Sequence, residues 1–138
     1  MDLYDWLLFL HVLSAFAAVA AMVVLWAVVL GTRGSAPAME PPTAMSLGRA
    51  AGITVGATLG LVLIFGIWLA IEVEAYELWD GWILASLVLW LVGAATGGKA
   101  GREFERGPEG RATGIRLQAV NSVLLLVILV LMIWKPGA

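Results

Sequence analysis

Cysteine is absent from all 138 residues. Disulfides, zinc–thiolate centres and thiol redox chemistry are excluded with it. Histidine occurs once, at His11. One imidazole and no thiol leave no nucleophile–base pair and no metal-ligand spacing. No glycine-rich loop follows a strand pattern, so a phosphate cradle of the nucleotide-binding kind is missing. Met22, Met39, Met45 and Met132 are scattered and trace no methionine-rich copper path. Charge is also scarce: 13% of residues are charged and the net charge is −2, which offers nucleic acid nothing to bind.

What the chain has instead is apolar length. Its apolar fraction is 62% and its mean hydropathy +0.97, where soluble domains hold roughly 45–50% apolar residues. The run from Leu7 to Leu30 is too long for a signal peptide, and acidic Asp2 and Asp5 flank it in place of a basic segment. It reads as a retained span. Four spans are expected, at about 4–30, 47–71, 82–97 and 114–134, the third of them short. Gly31 is a helix terminator and Asp80 an N-cap for the third span. Polar stretches separate the spans: TRGSAPAMEPPTAMS, EVEAYELWDG and GGKAGREFERGPEGRAT. Short connections favour antiparallel neighbours, so the expected fold is all-α, a single up-down four-transmembrane-helix bundle over residues 1–138.

Basic residues set the orientation. Arg33, Arg49, Lys99, Arg102, Arg106, Arg111 and Arg116 fall on one side and Lys135 alone on the other. That asymmetry predicts a multi-pass protein of the bacterial cytoplasmic membrane with the first and third loops inside and both termini outside. Trp6, Trp79, Trp82 and Trp134, with Tyr4 and Tyr76, lie at the outer span ends and read as an interfacial aromatic belt. The acidic turn with Glu72, Glu74, Glu77 and Asp80 reads as a solvated loop, and the basic third loop, diluted by Glu103, Glu105 and Glu109, reads the same way.

Three features carry candidate function. In GRAAGITVGATLG, Gly48, Gly52, Gly56 and Gly60 recur every fourth residue and form a stripe on one helical face. Such stripes let helix backbones approach closely in a bilayer. The partner is a helix of the same chain or a second copy in a homodimer; a flat ligand is the third use. In LLFLHVLSAF, His11 shares a face with Ser14, Ala15, Ala18 and Met22. A polar group at membrane depth is costly unless partnered, so His11 should face the protein interior, with Ser14 as a near partner. It is a structural hydrogen-bonding residue, a haem or metal ligand, or a proton carrier. In RLQAVNS, Arg116, Gln118, Asn121 and Ser122 make the start of the last span polar, and Asn121 should point inward to bond another helix.

Taken together, LLFLHVLSAF, a second span ending in GIWLAIE and a last span closing on MIWKPGA resemble a family of small bacterial integral membrane proteins of unknown function. That resemblance covers nearly the whole chain; more distantly, the chain resembles HemJ-type protoporphyrinogen oxidases and CopD-type copper-resistance domains. The HemJ resemblance implies four membrane helices and b-type haem, with His11 at the position of a first-span histidine that serves haem. Asn121 matches the asparagine of a last-span Asn-Glu pair, and Lys135-Pro136 matches the ending; His11 and Asn121 are thereby the candidate cofactor-binding residues. The glutamate position holds Ser122 and the nearby proline is missing, which counts against oxidase activity. Two functional expectations follow: a haem-binding or redox-linked membrane protein using His11, or a non-enzymatic bundle that assembles with itself or a partner through the span-two glycines.

Overall fold

The computed structural model describes residues 1–34, 36–74 and 76–136. These form four long helices, α1 (Leu3–Gly31), α2 (Pro41–Glu72), α3 (Gly81–Glu105) and α4 (Arg111–Trp134), with a single 3₁₀ turn at Gly107–Glu109 before α4. No strand occurs among the described residues. All four helices are long and apolar enough to cross a membrane. At 24 to 32 residues each they run roughly 36–48 Å, longer than a hydrocarbon core of about 30 Å. The expected all-α class with four spanning helices is therefore what the chain adopts, as a multi-pass membrane protein.

Contacts divide the chain into two compact units, Met1–Glu72 and Val73–Ala138. Each is an antiparallel helical hairpin, α1 with α2 and α3 with α4. In the first, His11 meets Val62 and Gly66, and Val28 meets Gly48, so the two helices run in opposite directions. In the second, Gly93 and Gly97 meet Asn121, and Phe104 covers Gly114.

Helix starts and stops follow local chemistry. Asp2 and Asp5 cap α1 reciprocally: Asp5 N–H donates to Asp2 Oδ1 at 3.0 Å and Asp2 N–H to Asp5 Oδ2 at 3.2 Å. Such a cap contributes about 1 kcal/mol and satisfies donors that lipid would leave bare. Gly31 ends α1 as expected. Asp80 occupies the N-cap position of α3, as expected, but its side chain makes no cap hydrogen bond; its Oδ2 accepts the Glu77 N–H at 3.2 Å, closing the turn before the helix instead.

Two boundaries differ from the sequence expectation for one reason. Span three is not short, because α3 continues through Lys99 and Arg102 to Glu105. Likewise α2 begins at Pro41, where proline's fixed φ suits a first helical turn. Hydropathy falls where the chain leaves the hydrocarbon, but Ala, Lys, Arg and Glu are good helix formers and keep the helix going. An Arg106–Glu103 pair at 2.8 Å sits at the end of α3. Gly107, at φ +77, then makes the turn a side chain would resist.

Packing positions repeat at 3.5-residue spacing. In α4 the buried residues are Gly114, Gln118, Asn121, Leu125 and Ile128, and in α3 Ser86, Gly93 and Ala100 lie one heptad apart. In α2 the buried residues are Ala44, Ala51, Val55 and Ala70. The outward surface is apolar: Phe16 is 74% and Ile53 67% exposed, as lipid-facing side chains should be. Hydroxyls are satisfied within their own helix. Ser14, Thr58, Ser86 and Ser122 each donate to the carbonyl four residues back, at 2.6–2.8 Å.

Candidate functional sites

The first site is built on His11, about 12 Å along α1 from its first residue. The imidazole is half-buried and turned toward α2, where its Nδ1 lies 3.1 Å from the carbonyl oxygen of Val62. A carbonyl only accepts, so Nδ1 carries the proton and donates. The neutral ring then keeps its lone pair on Nε2. Val62 O belongs to the helical ladder of α2, and its second lone pair takes the histidine. One turn on, Gly66 leaves space for the ring. A Cβ there would lie 3.0 Å from His11 Cε1 and 3.3 Å from Nδ1. Ser14 is not the partner the sequence suggested, because its Oγ donates to Leu10 O at 2.7 Å. The short hydroxyl reaches its own backbone more easily than the ring one turn away.

The second site lies on α3 and α4. Asn121 is buried, and its amide fills the space left by two missing side chains: Cβ atoms at Gly93 and Gly97 would lie 3.2 Å from Oδ1 and 3.1 Å from Nδ2. Thr96 Oγ1 donates to Gly93 O at 3.1 Å and reaches Asn121 Oδ1 at 3.5 Å. Asn121 thus points inward and works as a helix-to-helix packing node. Gln118, one turn earlier and 4% exposed, is also buried, and its Nε2 has no hydrogen-bond partner.

The glycine stripe is placed differently from either site. Gly48 has Val28 Cγ1 3.7 Å from its Cβ position, but Gly52, Gly56 and Gly60 have nothing within 4 Å of theirs. The buried residues of α2 that neighbour Gly52 and Gly56 are Ala51 and Val55, and stepping one residue on turns the helix by about 100°. The glycines therefore flank the packed face.

His11 and Asn121 belong to different hairpins. Sequence reasoning missed Val62, because a backbone carbonyl has no residue signature. It missed Gly66, which stands outside the four-residue stripe. It also missed Gly93 and Gly97, although their own four-residue spacing was a usable signal. Among the described residues no group of three His, Cys, Asp or Glu side chains could hold a metal ion. Comparison with known protein families, with curated proteins and with solved structures finds no match.

Proposed function

We propose that this multi-pass protein binds b-type haem through His11 Nε2 and serves redox chemistry in the bacterial cytoplasmic membrane, with both termini outside. The observation that supports this reading is the His11–Val62 hydrogen bond. Ligating histidines characteristically donate the other ring N–H to a carbonyl or carboxylate, which fixes the tautomer and raises ligand basicity. The donor set fits haem better than a bare ion. A metal ion held by protein alone needs three or four ligands, whereas haem brings four nitrogens and needs one axial donor. Haem would supply one-electron chemistry; the chain would supply the ring orientation and an apolar surround. Asn121 is engaged with Gly93, Gly97 and Thr96, so the proposal rests on His11 alone, and no oxidase activity is assigned.

Purification from haem-replete cells tests the reading. The wild type is expected to carry a Soret band and His11→Ala to lose it while keeping its helical circular dichroism. A wild type with no Soret band would sink the haem reading and leave His11 as a structural hydrogen-bonding residue.

A second reading is favoured by the open positions at Gly52, Gly56 and Gly60. On it, the chain is a non-enzymatic membrane protein whose α2 stripe packs against a second copy as a homodimer. Close backbone approach there would be driven by dispersion.

A further inference from the structure

A third cluster sits where the second hairpin closes. Tyr76 lies in the loop before α3, Trp82 in the first turn of α3, and Lys135 directly after α4. Lys135 Nζ donates to the Tyr76 hydroxyl oxygen at 2.7 Å. The same ammonium is 4.7 Å from the Tyr76 ring centroid and 5.6 Å from that of Trp82. The two rings meet edge to face at 5.4 Å. Trp82 is only 6% exposed, and its indole N–H is buried without a hydrogen-bond partner. Native proteins rarely leave such a donor orphaned.

The donors outnumber the acceptors. The ammonium has three N–H groups and uses one on Tyr76; the tyrosine hydroxyl, having accepted, has its own proton to give; the indole only donates. Glu74, Glu77 and Asp80 stand in the same loop, yet among the described residues none pairs with Lys135. Asp80 instead accepts the Glu77 N–H. Lys135 also adopts the left-handed conformation, φ 48 and ψ 58, at a helix end where glycine is preferred. A lysine kept in that backbone state, with its ammonium against two rings, is placed for its side chain.

We propose that Lys135 Nζ, the Tyr76 hydroxyl and Trp82 Nε1 form a binding site for a phosphate oxyanion, supplied either by a phospholipid headgroup or by free phosphate. A phosphate offers several charged acceptors to a cluster that has donors left over, and charge-assisted bonds to it are stronger than neutral ones. The site also ends a spanning helix, the level at which tryptophan, tyrosine and lysine meet headgroups. Lys135 and Tyr76 are half-buried and reachable from the surface; Trp82 is the buried member.

Full-length protein in mild detergent, ¹⁵N-labelled at its indoles, is titrated with phosphatidylglycerol and separately with inorganic phosphate, the Trp82 signal being assigned through Trp82→Phe. The expected result is a saturable downfield shift of that signal. A response to both probes identifies the phosphate group alone as the ligand, and a response to the lipid only identifies the headgroup. Lys135→Gln is expected to weaken binding about tenfold, the loss of one charge-assisted contact. No saturable shift with either probe overturns the proposal, and so does wild-type affinity in folded Lys135→Gln. Should that variant fail to fold, Tyr76→Phe keeps the ring and carries the same comparison: unchanged affinity overturns the site.

Discussion

At His11 the decisive partner is a backbone atom, and the next most important feature is a side chain that is not there. Val62 contributes only its carbonyl, and Gly66 contributes room. Two opposed effects therefore meet in Gly66→Ala. Alanine is the better helix former by about 1 kcal/mol. Against this, its Cβ would stand 3.0 Å from a ring already tied to Val62 at 3.1 Å, so relaxation means stretching that bond. Overpacking of this kind costs roughly 1–3 kcal/mol. The expected outcome is net destabilisation in thermal unfolding, reversed to stabilisation when His11→Ala removes the ring. A more stable Gly66→Ala in the wild-type background would show that the imidazole is not fixed. The histidine itself was legible in the sequence, as a lone polar group among apolar ones. Its partner was not, because nothing in the letters LVLIFG says which carbonyl will face it. Asn121 shows the same limit: its inward direction followed from the cost of an amide in lipid, whereas the two glycines it fills required the register between α3 and α4.

At the scale of helices, hydropathy located every span but misjudged the start of α2 and the end of α3. The third span looked short because apolar residues thin out near Gly97, yet the helix continues eight residues further, through solvated lysine and arginine. Periodicity fared differently in α2. A four-residue glycine repeat reads as a packed face, but the face buried within the chain is the neighbouring one, carrying Ala51 and Val55. Gly56→Leu separates the remaining uses of the stripe. Nothing lies within 4 Å of the Cβ position, so the added side chain meets no obstacle in its own chain. Unfolding of the monomer should shift by no more than about 0.5 kcal/mol, as at other surface positions. If two copies pack along the stripe, the variant is expected to run as a monomer in mild detergent where the wild type runs as a dimer. An unchanged oligomeric state would place the glycines against lipid, and marked destabilisation of the monomer would return them to an intramolecular contact.

For the whole molecule, charge supplies what packing does not, namely a direction across the bilayer. Each hairpin turns a polar residue toward its partner helix, half-buried His11 in the first and buried Asn121 in the second, and neither fixes which end faces the cytoplasm. The proposed orientation rests on the basic residues. Arg33 and Arg49 lie near the first turnaround, Lys99 to Arg116 near the third, and Lys135 alone at the opposite end. Retaining several lysines and arginines on the cytoplasmic side is strongly favoured during insertion, while acidic residues such as Glu74 and Glu77 contribute little to the choice. The absence of native cysteine makes the test direct, since a single introduced thiol is the only one in the chain. Ala38, Glu74 and Glu109 are exposed and lie in the three connections. In intact cells a membrane-impermeant maleimide is expected to label Glu74→Cys and to leave Ala38→Cys and Glu109→Cys unmodified until the membrane is permeabilised. The opposite pattern would invert the orientation, placing both termini and Lys135 in the cytoplasm. Labelling of Ala38→Cys together with Glu74→Cys in intact cells would mean that α2 does not cross the membrane at all.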